Sequence, residues 1–263
     1  MKNKKWLALA LALLLILPLA ACQKLKPAAS LPGSPGSLVK GSGNVVDVRT
    51  PLSGGENGYS LRVSGFSFRG TGASKVSLVI DESLDREVVL TTDDNIVEYI
   101  SVKYNAATGG IVVELARRAV FSPTEISITV GGPVRRLDVN GAWAFTYNCP
   151  GVTDFEGDVN GTANGKLTFG SLNSLSMDVN GASDITLSGK ADRAELTING
   201  AANIRAFDLA AQTADVGING AGNCEITAET VLNAEINGLG KIIYGGNPTV
   251  SRSVHGLGTV KAR

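Results

Sequence analysis

Asp138, Asp158 and Asp178 recur at intervals of 20 residues, each two places before an asparagine. If the repeats stack, these carboxylates form a strip with a spacing of about 4.8 Å. Such a strip could hold a cation or meet a basic surface. Like charges at that distance repel by roughly 1 kcal/mol in water. Calcium needs about six to eight converging oxygens, which a straight stack of three does not supply. The Gly-Gly-X-Gly-X-Asp nonapeptide of calcium-binding solenoids is also missing. A solvated face is therefore expected, with the three aspartates as candidate surface contacts and with no metal or cofactor. Asp93-Asp94-Asn95 offers another carboxylate pair, and glycoside hydrolysis uses two acids flanking one bond. Adjacent strand residues point to opposite faces, so a turn fits that tripeptide better.

The other reactive types are sparse. His255 is the single histidine, which argues against His-based catalysis or a His-rich metal site. Trp143, Phe145 and Tyr147 alternate, and they either fill a core or form a sugar-stacking platform. The core is the favoured placement. Cys149 and Cys224 lie four repeats apart, about 19 Å along a stack. Bonded cysteines have Cα atoms within about 7 Å. Both are expected to be free, with Cys224 a small core hydrophobe.

These expectations depend on a repeat. Asn-Gly occurs at Asn140, Asn160, Asn180, Asn199, Asn219 and Asn237, and His255-Gly256 follows. The steps are 20, 20, 19, 19, 18 and 18 residues. A β-branched residue precedes each junction: Val139, Val159, Val179, Ile198, Ile218, Ile236 and Val254. Period-2 alternation on both sides reads as strand. Asn-Gly also marks hairpins, but these junctions are too far apart to close every strand pair. The pattern predicts an all-β fold, a parallel β-solenoid with coils of about 18–20 residues. Stacked Asn side chains would then hydrogen-bond as a structural ladder through Asn140, Asn160, Asn180, Asn199, Asn219 and Asn237.

The first half is less regular. Segments 76–80, 87–91, 99–103, 111–114 and 125–130 read as short strands. Residues 38–263 show no internal boundary. At about 19 residues per coil they would make roughly a dozen coils, some 55 Å long.

Gly41-Ser42-Gly43, Val63-Ser64-Gly65-Phe66 and the repeated Val/Ile-Asn-Gly-Ala/Leu coils resemble the putative auto-transporter adhesin head domain family, the GIN domain. Asn-Gly stands here where many members have Ser-Gly. The resemblance spans about residues 38–263 and implies a right-handed parallel β-helix with an adhesive role and no catalytic residues.

The N-terminal segment reads separately. Lys2, Lys4 and Lys5 precede an apolar run from Trp6 to Ala21, too short and too interrupted by Pro18 for a comfortable membrane span. Leu19-Ala20-Ala21-Cys22 resembles a bacterial lipobox, which implies cleavage after residue 21 and a firm lipid anchor on Cys22. Residues 22–37 form a proline-stiffened tether. Removing the three lysines leaves 21 basic against 24 acidic residues, a net charge of −3. That is not the footprint of a nucleic-acid binder. Gln23, rather than Asp, after the lipidated cysteine resembles the outer-membrane pattern of two-membrane bacteria. With one membrane, the outer face of the cell membrane is expected.

The sequence thus points to an envelope lipoprotein that presents a solenoid to an unknown protein or glycan partner. An envelope scaffold or sensing module is the alternative, followed by a carbohydrate-active β-helix enzyme. Cys22→Ser is expected to move the protein from the membrane fraction to the soluble fraction. Retention of the variant in washed membranes would refute the anchor.

Overall fold

Every second side chain in residues 134–256 must find either core or water, and strands that stack in register satisfy that demand. The structure is a computed structural model that describes residues 38–66, 75–115, 120–121 and 125–263. The expected signal segment 1–21, Cys22 and the expected tether 22–37 lie outside the described residues.

In chain order the first half holds β1 (Leu38–Val39), β2 (Val45–Pro51), β3 (Tyr59–Phe66), β4 (Lys75–Asp81) and β5 (Glu87–Asp93). After a 3-10 turn at Val97–Tyr99 come β6 (Ile100–Asn105), β7 (Gly110–Leu115), β8 (Val120–Phe121) and β9 (Glu125–Gly131). The second half holds β10 (Val134–Cys149), β11 (Asp154–Gly181), β12 (Asp184–Gly200), β13 (Asn203–Gly220) and β14 (Asn223–Gly238). It ends with β15 (Lys241–Gly245), β16 (Thr249–Gly256) and β17 (Thr259–Ala262). The long strands bend at the Gly of each junction. Parallel pairing aligns Asn140 with Asn160, Asn180 with Asn199, Asn199 with Asn219, Asn219 with Asn237, and Asn237 with His255. The result is a parallel β-solenoid of about six turns.

The junction glycines carry the bend. Gly141, Gly161, Gly181, Gly200, Gly220, Gly238 and Gly256 have φ between +121° and +145°. L side chains rarely adopt that conformation. A Cβ on Gly200 would also sit 2.4 Å from the Gly181 carbonyl oxygen. The same close approach lets Ala201 N–H donate to Gly181 O at 2.9 Å, and Ala221 N–H to Gly200 O at 2.9 Å. The backbone ladder therefore continues around the corner.

The core follows from the register. Phe145, Gly165, Ile185, Ile204, Cys224, Ile242 and Val260 form one inward row. Burying each large aliphatic member contributes about 1.5–3 kcal/mol. The aromatic residues widen one end. Tyr147, Phe155 and Phe169 meet with ring centroids 4.8–5.2 Å apart. Two inward glycines make room for bulk: a Cβ on Gly165 would lie 2.3 Å from the Phe145 ring, and one on Gly157 would lie 2.8 Å from Met177 Sδ.

The first half departs from the expected dozen consecutive coils. β3 and β4 stack on β10, and β7 and β9 stack in turn on β3 and β4. The layer formed by β7 and β9 thus lies outside the layer formed by β3 and β4, although it follows in the chain. Its edge is then closed by antiparallel strands, β6 on β7, β5 on β9 and β2 on β5. Alternation alone could not show this, because parallel and antiparallel strands share the same period. The physical need is edge protection: an uncovered strand leaves a row of unpaired N–H and C=O groups.

Gly200→Ala forces both the positive φ and the clash with Gly181. A loss of about 3 kcal/mol is expected, seen as a fall of roughly 10 °C in the thermal midpoint by circular dichroism. An unchanged midpoint would contradict the corner geometry.

Candidate functional site

The asparagine ladder has a direction. Asn180 Nδ2 donates to Asn160 Oδ1 at 3.1 Å, Asn199 to Asn180 at 2.9 Å, Asn219 to Asn199 at 2.9 Å, and Asn237 to Asn219 at 3.0 Å. Asn140 lies in register below Asn160 but donates to Asp138 instead. A charged acceptor two residues away competes well with a neutral amide, so the ladder begins one coil later than expected. At the far end His255 stands over Asn237, its Nδ1 3.5 Å from Ser253 Oγ.

A second, shorter ladder escaped sequence reasoning. Asn203 Nδ2 donates to Asp184 Oδ1 at 3.1 Å, and Asn223 Nδ2 donates to Asn203 Oδ1 at 2.9 Å. Its signal was present: Asn164, Asp184, Asn203 and Asn223 each stand four residues after a rung of the first ladder. These amides spend their polar groups on each other, which makes them structural.

The aspartate strip lies on the outer face before the corner, and it is not bare. Arg62 pairs across from Asp138, and its Nε donates to Asp138 Oδ2 at 2.7 Å. Arg136 reaches both Glu156 and Asp158, the latter at 3.2 Å. The like-charge stack expected from spacing is therefore partly neutralised by two arginines. The first enters through β3, whose contact with β10 no repeat count reveals. Burial raises the Asp158 carboxyl above its ordinary value, Arg136 opposes the rise, and Asp178, Glu156 and Asp138 add to it. The acidic character continues along the same face at Glu195, Asp215 and Glu235, around a hollow of about 340 Å³ at Gly217. There Arg193 lies 2.6 Å from Asp215, and Asn233 donates to the same carboxylate at 2.6 Å. Among the described residues no group of three His, Cys, Asp or Glu side chains is placed to hold a metal ion.

The remaining candidates resolve individually. Asp93, Asp94 and Asn95 form a turn that clamps Lys40–Asn44. Gly43 N–H donates to Asp93 at 2.9 Å, Ser42 Oγ to Asp94 at 2.6 Å, and Asn95 Nδ2 to Lys40 O at 2.8 Å. Bonds from Ser42 and Asn44 hold the Asp94 carboxyl below the usual range. Trp143, Phe145 and Tyr147 are all buried, so they offer no sugar platform. The Tyr147 hydroxyl donates to Val134 O at 2.6 Å. Cys149 and Cys224 are buried and free. Burial pushes their thiols up, to about 11 and about 12. Both are therefore inert core groups.

A groove of about 700 Å³ runs past Asp81, Glu82, Arg135, Asn148, Gly151 and Asp154. Three of its acids, Asp81, Glu82 and Asp154, have partners within the fold. Asp81 accepts from Ser83 and Asn148, Glu82 from the Gly151 N–H, and Asp154 from Thr153 and Ser174. Arg135 occupies a register shift between Val134 and Arg136, the kind of bulge that redirects a side chain.

The model of the putative auto-transporter adhesin, head GIN domain family matches residues 71–248. The chain belongs to that family. No curated protein matches it. Solved structures share the fold at low identity. A Bacteroides fragilis protein named a putative adhesin is 21% identical, with a TM-score of 0.64 over 86% of this chain and 100% of its own. A Parabacteroides distasonis protein named a putative lipid binding protein is 19% identical, with a TM-score of 0.62 over the same shares. A putative adhesin from Parabacteroides merdae is 18% identical, with a TM-score of 0.55 over 86% of this chain and 99% of its own.

The acidic strip of this GIN domain carries a pH signature. The folded Asp158 carboxyl holds its proton to higher pH than the unfolded one, whose ordinary value is 3.8. Its contribution is therefore most favourable below that value and declines as pH rises through the raised folded value. Asp158→Asn removes the titration. Relative to the parent, the variant's thermal midpoint should stand higher at pH 7 than at pH 3. Equal offsets at both pH values would count against the strip as described.

Proposed function

We propose that this protein is an envelope-anchored lipoprotein that presents its GIN-domain solenoid for adhesion, without catalysis. The observation that carries the proposal is the outer face itself. It is an acidic face: Asp138, Asp158 and Asp178 stand in one row, which passes through Thr197 and Gly217 to Glu235, and Glu195 and Asp215 stand in the row beside it, all held by backbone and amide ladders. A rigid face binds without first paying to order itself. Its charge favours a basic protein surface or an amine-bearing glycan. Asp81, Glu82 and Asp154, in the groove beside Arg135, serve as hydrogen-bond acceptors within the fold, which supports a binding role over hydrolysis. Family membership supports adhesion, and the lipobox-like Leu19-Ala20-Ala21-Cys22 supports attachment to the envelope.

The purified full chain should bind saturably to at least one member of an array of matrix proteins and glycans. Replacing Asp138, Asp158 and Asp178 together with Asn should weaken that binding roughly ten-fold, with the fold intact by circular dichroism. Intact cells should lose the domain to added protease. Absence of saturable binding, or equal binding by the triple variant, would overturn the proposal. Protection from protease would favour an internal envelope scaffold instead.

A further inference from the structure

The two ends of the solenoid are built differently. The outermost layer of the first half is closed by antiparallel β5 and β6. Among the described residues, β16 pairs only with β14 and β17 only with β15, so their outer edges carry no strand. An open edge exposes backbone donors and acceptors in a row.

The side chains at this end differ from those of every earlier coil. The residue after each junction glycine is Ala142, Thr162, Ala182, Ala201 and Ala221, and then Leu239 and Leu257. These two leucines are 64% and 84% exposed. Val254, the last member of a row that is otherwise buried, is 39% exposed. Val250 stands over the buried Leu232. Between the two valines, Arg252 stands over the buried Ala234, in an inward row that carries Leu196 and Val216 in earlier coils. Residues 249–263 include Arg252, His255, Lys261 and Arg263 and no carboxylate. Arg263 lies over the Phe207 ring, with its guanidinium carbon 4.6 Å from the ring centroid. No carboxylate lies within salt-bridge distance of Arg252 among the described residues.

We infer that the edge of β16 is a docking site for an extended acidic peptide strand, which adds to the solenoid as one more rung. Strand addition pairs the open backbone groups. Residues two apart on the added strand point to the same side. An apolar residue over Val250, a glutamate or aspartate over Arg252 and an apolar residue over Val254 would complete the inward rows. The recognised pattern is therefore apolar, any, acidic, any, apolar, with the exposed Leu239 and Leu257 offering a further apolar contact at the corner.

Charge and geometry disfavour the other occupants. A second copy pairing antiparallel through a two-fold axis, with Val250 against Val254, would set Arg252 against Arg252. A lipid surface would cover the leucines but leave the backbone of β16 without partners in hydrocarbon. Basic residues can guard an open edge, but guarding does not explain two exposed leucines placed beside them where earlier coils carry alanine or threonine.

The test uses the full chain in mild detergent and two synthetic eight-residue peptides. The first has valine, glutamate and valine at its third, fifth and seventh positions with threonine elsewhere. The second has lysine in place of the glutamate. Fluorescence anisotropy should show saturable binding of the glutamate peptide and at least about ten-fold weaker binding of the lysine peptide. Arg252→Glu should reverse the preference, and Leu257→Ser should weaken both without reversing it. Hydrogen exchange should show the amides of β16 that point away from β14 protected only when the peptide is present. The proposal fails if the two peptides bind equally or not at all. It also fails if the β16 amides that point away from β14 are already protected in the free chain at low concentration, which would point to a segment of the chain itself. Protection that appears only as protein concentration rises would point to a second copy, and protection only with anionic vesicles to a lipid surface. Because Asp138, Asp158 and Asp178 lie at least four rungs from β16 along the stack, their replacement should leave peptide binding unchanged, which separates this site from the proposed adhesive strip.

Discussion

The close approach of successive corners governs this structure. At each junction a glycine with positive φ lets its neighbour's N–H reach the glycine carbonyl of the coil before, as Ala201 reaches Gly181. No residue with a Cβ fits there without a clash of the order seen at Gly200. Once that contact is made, coil-to-coil register is set for the whole turn, and every later feature inherits it. The aliphatic rows align inward, the amides align into ladders, and the acids align into a strip. A one-residue slip would exchange the inner and outer faces, so the corner also protects the core.

The same register that helps the asparagines penalises the aspartates. Identical neutral amides stacked along a solenoid can each donate and accept, which is why the bonds from Asn237 to Asn160 all run one way. Identical carboxylates can only repel. The fold answers with arginines placed on adjacent strands, Arg62 on Asp138, Arg136 on Glu156 and Asp158, and Arg193 on Asp215. Relief is incomplete at Asp158, whose burial and acidic neighbours outweigh Arg136. A face that keeps some of this unfavourable charge is well suited to a cationic partner, because binding relieves it.

Ends are the recurring problem of stacked coils. At one end the chain folds back on itself, and β2, β5 and β6 close the edge with antiparallel pairing. The Asp93–Asn95 turn then fastens the Lys40–Asn44 loop to that cap. This gives the Gly41-Ser42-Gly43 segment a structural role as part of the latch. At the other end no strand among the described residues covers the outer edge of β16, and basic and apolar side chains replace the small and neutral ones of earlier coils.

The regular half was legible in the sequence because each coil repeats the same local demands. Spacing of Asn-Gly, alternation and β-branched neighbours determined the solenoid, the inward rows with Cys224 among them, the free cysteines and four of the five bonds expected along the ladder. The missing bond, at Asn140, was lost to a local competitor, Asp138, which spacing does not weigh. The second ladder had a sequence signal at four residues beyond each rung, but its amides were masked by the stronger first repeat. What only tertiary structure decided were contacts between segments far apart in sequence: the inverted order of the β3/β4 and β7/β9 layers, the antiparallel cap, and the Arg62–Asp138 pair spanning β3 and β10. The physical reason is that period-2 alternation reports which side of a strand faces the core. It carries no record of which strand lies alongside, or in which direction it runs.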